Sequence, residues 1–290
     1  DYASRNRDHL LSNIWRMGMN SIERGNRDNW TVLPFEVEKA QEELGENNLG
    51  GLADYRRSLQ SSDDRDPRGF IISSSQGDFA TATKFINTLI KNGVDVHRAG
   101  DGFEIGSRSY PSGSYVIKAN QAFRPHVMDM FTPQQHPNDF AYPGGPPTPP
   151  YDNAGWTLAF QMGVEFDPIF VALDGPFERL EELQVIADGI LVGQGGEGYI
   201  FDHNQNNSFL VLNKLLKKGH EVHWLLDGTD TSGLSDGAFY VAQDGLTNEN
   251  LREFTEETGV DFHRSSRPKG ETIQLKKPRV ALWDQYGGSM

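Results

Sequence analysis

Two histidines, His220 and His223, flank a carboxylate at Glu221 in the stretch H-E-V-H. Imidazole nitrogen and carboxylate oxygen are common zinc ligands, so the spacing raises the question of a metal site. The known helical zinc motif places its histidines four residues apart on one helix face, and this stretch does not. Gly219 favours a helix end, and residues 220–226 alternate as a strand, which sends the two histidines to opposite faces. The sequence therefore predicts a strand here and no metal site.

A second candidate is the polar stretch D-H-N-Q-N-N at 202–207, which follows a predicted strand and opens a predicted helix. Doubly wound sheets bind ligands at this place, but small polar residues there also cap helices. We favour capping, with a ligand site as the alternative. The candidate ligand-binding residues are Asp202, His203, Asn204, Gln205 and, in a corresponding earlier stretch, Gln76.

Other catalytic patterns are weak. Cysteine is absent, which excludes thiolate chemistry, and no G-x-S-x-G nucleophile turn occurs. No spacing among the acidic residues singles out a glycosidase pair. The glycine pattern Gly193–Gly198 precedes a predicted strand instead of the helix that a dinucleotide site needs. The sequence predicts no catalytic residues, no metal ligands and no cofactor in this chain.

The elements that would position these residues occur twice. The apolar strands G-F-I-I at 69–72 and G-Y-I-F at 198–201 are each followed by a helical pattern that ends at a glycine, Gly93 or Gly219. An alternating strand follows each helix, and a later strand, G-S-Y-V-I at 113–117 or G-A-F-Y-V at 237–241, completes each copy. The sequence predicts an α/β fold with duplicated strand–helix–strand units. We expect mainly parallel, three-layer sheets of the glutamine-amidotransferase-like or flavodoxin-like kind.

Composition divides the chain further. Apolar residues recur at helical spacing from Leu10 to Ile22, and this stripe predicts a helix buried against the α/β body or a partner chain. Prolines exclude a helix or a central strand over much of the connector between the two copies. The predicted segments are an N-terminal helical segment (1–62), a first α/β unit (63–131), a proline-rich connector (132–156), a second α/β unit (157–275) and a last stretch (276–290) that looks like the first strand of a truncated following domain.

The net charge of the chain limits the kinds of partner that it can bind. The 290-residue chain has a net charge of −14 and a pI near 5.0, so nucleic acid and anionic membranes would repel it. It has no apolar run near the roughly 18 residues that a membrane helix needs, and its first residues lack a signal-peptide pattern. We therefore expect neither nucleic acid binding nor membrane insertion, and homo-oligomer formation stays open.

Several phrases together resemble one family. They are N-I-W-R-M-G-M-N-S-I at 13–22, Y-P-S-G-S-Y-V-I at 110–117, P-P-Y-D-N-A-G-W-T-L at 149–158, M-G-V at 162–164 and R-V-A-L-W at 279–283. This set is similar to the region downstream of the catalytic domain in large bacterial zinc carboxypeptidases of the carboxypeptidase A-like family. In that family an H-x-x-E pair and a later His hold zinc, and a downstream Glu is the general base. None of the eight histidines here begins H-x-x-E.

The resemblance implies a non-catalytic accessory region of an exported zinc metallocarboxypeptidase, supporting the peptidase domain or substrate binding. Its expected partners are the upstream peptidase domain of the same parent protein and a peptide substrate. Zinc is expected only in that upstream domain, and the expected location is extracellular or periplasmic. Two alternatives remain, namely a stand-alone small-ligand binding module with a polar site near 202–207 and a hydrolase whose carboxylates the spacing does not reveal.

Overall fold

The computed structural model describes residues 1–45, 51–134, 139–149, 155–226, 236–243, 248–281 and 283. The chain forms two compact units, Asp1–Gln184 (unit 1) and Val185–Met290 (unit 2), and each is described by itself. Among the described residues, no helix combines the length and the apolar character that crossing a membrane requires.

Unit 1 contains helices packed on an antiparallel sheet. Its helices are α1 (Tyr2–Arg5), α2 (Arg7–Gly25), α3 (Pro34–Leu44), α4 (Leu52–Leu59), α5 (Phe79–Lys91), α6 (Arg124–Phe131) and α7 (Leu158–Gln161). Its strands are β1 (Gly69–Ile72), β2 (His97–Ala99), β3 (Phe103–Ile105), β4 (Arg108–Tyr110), β5 (Tyr115–Lys118), β6 (Asp167–Ile169) and β7 (Phe177–Arg179).

The main sheet of unit 1 has the order β6-β1-β5-β2-β7, and every neighbouring pair is antiparallel. Strands β1 and β2 are parallel to each other, as a β-α-β crossover through α5 requires, but β5 lies between them. The predicted mainly parallel pairing is therefore wrong, because a later strand enters the gap that the crossover leaves. This order is that of the split β-α-β, or ferredoxin-like, arrangement with one added edge strand, β7.

Unit 2 repeats this plan. It contains helices α8 (Asn206–Lys218) and α9 (Asn248–Thr258) and strands β8 (Leu191–Val192), β9 (Gly198–Phe201), β10 (Val222–Leu225), β11 (Phe239–Ala242), β12 (Phe262–Ser265) and β13 (Thr272–Gln274). The sheet order is β13-β10-β11-β9-β12-β8, antiparallel except for the parallel pair β12–β8.

The strand registers of the two units coincide. Five strands in each sheet follow the same order, and residues at equivalent positions face each other across every shared pair. The prediction of a duplicated α/β unit is thus confirmed in its topology. One equivalent row runs Arg179–His97–Val116–Ile71–Asp167 in unit 1 and Gln274–His223–Tyr240–Ile200–His263 in unit 2.

Glycines end the two equivalent helices as predicted. Gly93 and Gly219 both have φ +86°, the left-handed conformation that a residue without Cβ adopts most easily. The helices bury one face on the sheet, with Phe85, Ile86 and Leu89 of α5 in the core of unit 1. In unit 2, Val211, Leu212 and Leu215 of α8 occupy the corresponding core.

The boundary between the units lies after Gln184, whereas the sequence places the second unit from residue 157. Strands β6 and β7 lie beyond the connector, yet they form both edges of the first sheet. A repeated phrase marks β6 and its counterpart: Gly163-Val-Glu-Phe precedes it as Gly259-Val-Asp-Phe leads into β12, and both glycines have positive φ. Residues 276–281 and 283 form no strand, and the remainder of the strand predicted over 276–290 lies outside the described residues.

A buried ion pair joins the N-terminal segment to the α/β body of unit 1. Asp66 accepts hydrogen bonds from Asn29 Nδ2 at 2.6 Å and from the backbone and hydroxyl of Thr31 at 3.0 and 2.9 Å. Arg124 of α6 lies 2.6 Å from the same carboxylate, and both side chains are buried. Because a buried charge is tolerated only with partners, this network fixes the segment's position.

Helix α2 is held at its C-terminal end. Gly25 lies against the backbone of Ala119, and its carbonyl accepts a hydrogen bond of 2.9 Å from Arg68 Nε. The rest of the predicted apolar stripe is largely exposed, so the described part of the chain does not bury it. The exposed apolar residues of α2 are Leu11, Ile14, Trp15, Met17 and Met19.

Candidate functional site

The polar stretch that the sequence singles out lies in the loop between β9 and α8. The loop faces Gly237, just before β11, and the His203 ring lies so close that a Cβ on Gly237 would come within 3.0 Å of it. Gly237 also has φ +94°, so both its conformation and its contact require glycine. The fold thus brings His203 against the start of a strand more than thirty residues later in the sequence.

Asp202 organises this loop. Its carboxylate accepts hydrogen bonds from the backbone N–H and the side-chain amide of Asn204, each at 3.2 Å. His203 Nδ1 lies 3.3 Å from the same carboxylate. Three of the predicted ligand-binding residues are therefore brought together, and their contacts close a local turn of the kind that Asp commonly forms.

Gln205 and Gln76 occupy equivalent positions but have different partners. The Gln205 side chain, at the start of α8, makes no cap hydrogen bond, and its Oε1 is buried with no hydrogen-bond partner among the described residues. Gln76 is bonded to the backbone of Ser73 and Glu165. In unit 1 the helix cap is Asp78, which accepts a hydrogen bond of 3.0 Å from Thr81 N. Gln205 therefore does not cap α8 with its side chain, whereas in unit 1 the last residue of the corresponding polar stretch, Asp78, does cap α5.

The last two residues of the H-E-V-H stretch open β10, so the predicted strand is present but begins after His220 and Glu221. His223 Nε2 lies 2.6 Å from Glu221 Oε1, and His223 Nδ1 lies 3.3 Å from the hydroxyl of Thr272 on β13. The hydrogen bond from His223 lowers the pKa of the Glu221 carboxyl, with a smaller contribution from Arg267. Sequence reasoning did not find the Thr272 contact, because β13 follows β10 by some fifty residues.

The equivalent histidine of unit 1, His97, has a different environment. Its Nδ1 is buried without a hydrogen-bond partner among the described residues. Burial is the main cause that lowers the pKa of His97, and the positive charge of Lys118 adds to it. Asp95, which corresponds to Glu221, pairs with Arg179 at 2.7 Å. The two copies therefore share the histidine but not its hydrogen bonds.

Within the described ranges, no three His, Asp or Glu side chains are grouped so that they could hold a metal ion.

A cavity that sequence reasoning missed lies in unit 1 and has a volume of about 400 Å³. Its walls combine aromatic, proline and amide side chains without a charged residue. The only available signal in the sequence was an aromatic pair, Trp156 and Phe160, at the end of the proline-rich connector and just after it. The lining residues, which we call the Trp156 pocket, are Pro133, Gln134, Trp156, Thr157, Phe160 and Gln161.

The fold defines a tandem of two split β-α-β units with equivalent registers. Comparison with family models, curated proteins and solved structures gave no match.

Proposed function

We propose that this chain is a non-catalytic accessory region of an exported zinc metallocarboxypeptidase, in which it supports the upstream peptidase domain. The observation that carries the proposal is the exposed apolar surface of α2. Leu11, Ile14 and Trp15 are each more than 60% exposed, whereas α2 approaches the rest of unit 1 further along the helix, at Gly18 and Gly25. Contiguous exposed apolar surface is typical of protein interaction sites.

The position of this surface agrees with the family resemblance. The family-like phrase at 13–22 lies entirely within α2. Residues 1–27 contain five arginines against two aspartates and one glutamate, a formal charge of +2 in a chain whose net charge is −14. A net positive charge beside an apolar surface favours an acidic partner and speeds its association. We therefore assign α2 as the face that meets the peptidase domain.

The natural reading frame provides the first test. It should encode, upstream of these residues, an H-x-x-E pair and a later His. The peptidase domain encoded there should then bind the 290-residue chain in a titration followed by calorimetry. Trp15→Glu should weaken this binding about tenfold or more, since it places a charge in the apolar contact. Leu52→Glu, which changes a residue on α4 that is 72% exposed, is the matched control and should leave binding unchanged.

Activity provides the second test. The purified chain should hold much less than one zinc per molecule by elemental analysis. It should also leave peptides with aromatic, aliphatic or basic C-terminal residues intact, with or without added metal. Catalysis by the family route needs three protein ligands around zinc, an open position for water and a carboxylate to take its proton. One tightly held zinc per chain, or chelator-sensitive release of a C-terminal residue, would exclude an accessory role.

A second candidate function rests on Gln205. A buried amide oxygen without a hydrogen-bond partner is unusual and can accept a donor from a ligand. A stand-alone module that binds a small polar ligand near 202–207 would use this oxygen together with Asp202 and His203. Thermal-shift screening with small polar compounds tests it. A stabilising compound should lose its effect in Gln205→Ala and keep it in Gln76→Ala.

A further inference from the structure

The Trp156 pocket has a strained backbone at its centre. Thr157 has φ +50°, and no other non-glycine residue in the described ranges has a positive φ. This conformation is unfavourable for a β-branched side chain, and such strain is concentrated at binding and active sites. Three hydrogen bonds hold it: Thr157 N donates to Asp129 O at 2.9 Å, and Thr157 O accepts from Phe160 N at 2.9 Å and Gln161 N at 3.1 Å. One of these bonds is long-range and ties the pocket to α6, and the other two open helix α7.

The chemistry of the pocket selects an uncharged partner. Trp156 and Phe160 provide flat aromatic surface, and Phe160 is 53% exposed. The amides of Gln134 and Gln161 each donate one hydrogen bond within the chain, to Asp129 and to the Trp156 carbonyl, which leaves their oxygens to accept others. Aromatic-lined grooves bind proline-rich segments. A proline-rich segment with uncharged side chains is the ligand that fits this lining.

The same chain exposes such a segment. Residues 139–149, which we call the Pro loop, read D-F-A-Y-P-G-G-P-P-T-P, and residues 140–149 carry no charge. Every residue of the Pro loop except Gly145 is exposed. Backbone hydrogen bonds close the loop, from Thr148 N to Asp139 O and from Gly145 N to Tyr142 O, each at 2.8 Å. The prolines limit its conformational freedom, so little entropy is lost when it binds.

We propose that two copies of this chain associate reciprocally, the Pro loop of each copy lying in the Trp156 pocket of the other. A self-complementary pair of this kind closes as a two-fold symmetric dimer, the commonest oligomer. The net charge of −14 repels a second copy over most of the surface, whereas the loop residues 140–149 and the pocket residues are uncharged. Exposed aromatic residues with few charges are also the composition of interface centres. The dimer does not depend on the peptidase partner, because α2 takes no part in it.

The experiment is sedimentation velocity on the full 290-residue chain from about 1 to about 100 μM, a range that detects micromolar association. The natural chain should show a reversible monomer–dimer equilibrium. Phe160→Glu in the pocket and Pro147→Glu in the loop should each weaken dimerisation about tenfold or more. Phe160→Glu also removes the ring contact with Phe166, so a second pocket variant is needed. Gln134→Glu changes an exposed pocket residue and should weaken dimerisation as well. Leu52→Glu should leave the dimer unchanged.

Mixing the two variants gives the sharper test. In an equimolar mixture of Phe160→Glu and Pro147→Glu, the intact pocket of one chain can bind the intact loop of the other. Dimers should therefore reappear in the mixture at concentrations where each variant alone is monomeric. A monomeric natural chain over the whole range would overturn the proposal. So would a dimer that Trp15→Glu dissociates and Phe160→Glu does not, and so would a mixture that stays monomeric.

Discussion

The side-chain amide of Gln76 spans both backbone polar groups of Glu165, which lies 89 residues later in the chain. Its Oε1 accepts from Glu165 N at 3.2 Å, and its Nε2 donates to Glu165 O at 3.3 Å and to Ser73 O at 3.1 Å. The contact joins the β1–α5 loop to a residue two positions before β6. It therefore ties two strands that pair in the sheet but lie on opposite sides of the proline-rich connector.

Replacing the two equivalent glutamines should have unequal effects. Gln76→Ala removes three hydrogen bonds and leaves backbone groups of Glu165 without partners, so unfolding should become easier by about 1–3 kcal/mol. Gln205→Ala removes an oxygen that already lacks a partner, and its effect should stay within about 0.5 kcal/mol. Urea denaturation of both variants measures the difference. Equal losses would show that Gln205 has a partner in solution.

The two glycines that end α5 and α8 also form a matched pair. Gly219→Ala meets no neighbouring atom, so its cost should be the left-handed strain alone, about 1–2 kcal/mol. Gly93→Ala should cost more, because its Cβ would lie 3.2 Å from the ring of Phe123. Thermal unfolding of the two variants should rank them in that order. The reverse order would contradict the described packing of Phe123.

Helix α2 should tolerate changes along most of its length and not at its anchored end. Trp15 is 66% exposed, so Trp15→Ala should change the free energy of unfolding by less than about 0.5 kcal/mol. A Cβ on Gly25 would lie 2.2 Å from Ala119 O, and Gly25→Ala should therefore cost about 1–3 kcal/mol. Chemical denaturation of the isolated chain tests both. A large loss for Trp15→Ala would mean that a partner already covers this surface.

His97 should make stability depend on pH. Burial and Lys118 lower its pKa below 6.5, while Asp95 opposes them and Arg179 adds to the lowering. The unfolded chain therefore binds a proton at a higher pH than the folded chain does, and the free energy of unfolding falls as pH drops below 6.5. His97→Gln removes this contribution, so its stability should fall less between about pH 7 and about pH 5. Urea denaturation at several pH values measures this, and the same pH dependence of the free energy of unfolding in both proteins would contradict the buried state of His97.

Local sequence was sufficient to predict the central strands and helices of each copy. The apolar strands at 69–72 and 198–201, the helices after them and the glycines at 93 and 219 lie where the patterns place them. These features depend on side-chain periodicity and on the conformational freedom of glycine, both of which act over a few residues. The duplication was visible for the same reason, since two similar stretches have similar local preferences.

Partner choice between distant strands was not visible in the sequence. A strand–helix–strand pattern predicts that β1 and β2 are parallel, and they are, but it contains no information on whether another strand lies between them. β5 enters that gap because its two apolar faces complete the core on both sides of the sheet, with Ile117 on the helix side and Val116 on the other. The phrases G-V-E-F and G-V-D-F could have placed β6 in the first unit.

The environment of each candidate site residue likewise depends on the tertiary structure and was not predictable from the sequence. The sequence identified the polar residues near 202–207, but the contact of His203 with Gly237 and the buried oxygen of Gln205 depend on the sheet. His97 and His223 have equivalent registers and similar neighbours in sequence. Their hydrogen bonds differ because Phe177 on β7 stands where Thr272 stands on β13, and because Asp95 pairs with Arg179 whereas Glu221 bonds to His223. Sequence pattern set the central strands and helices of each copy, whereas long-range packing decided which side chains meet, because those contacts join residues that share no local segment.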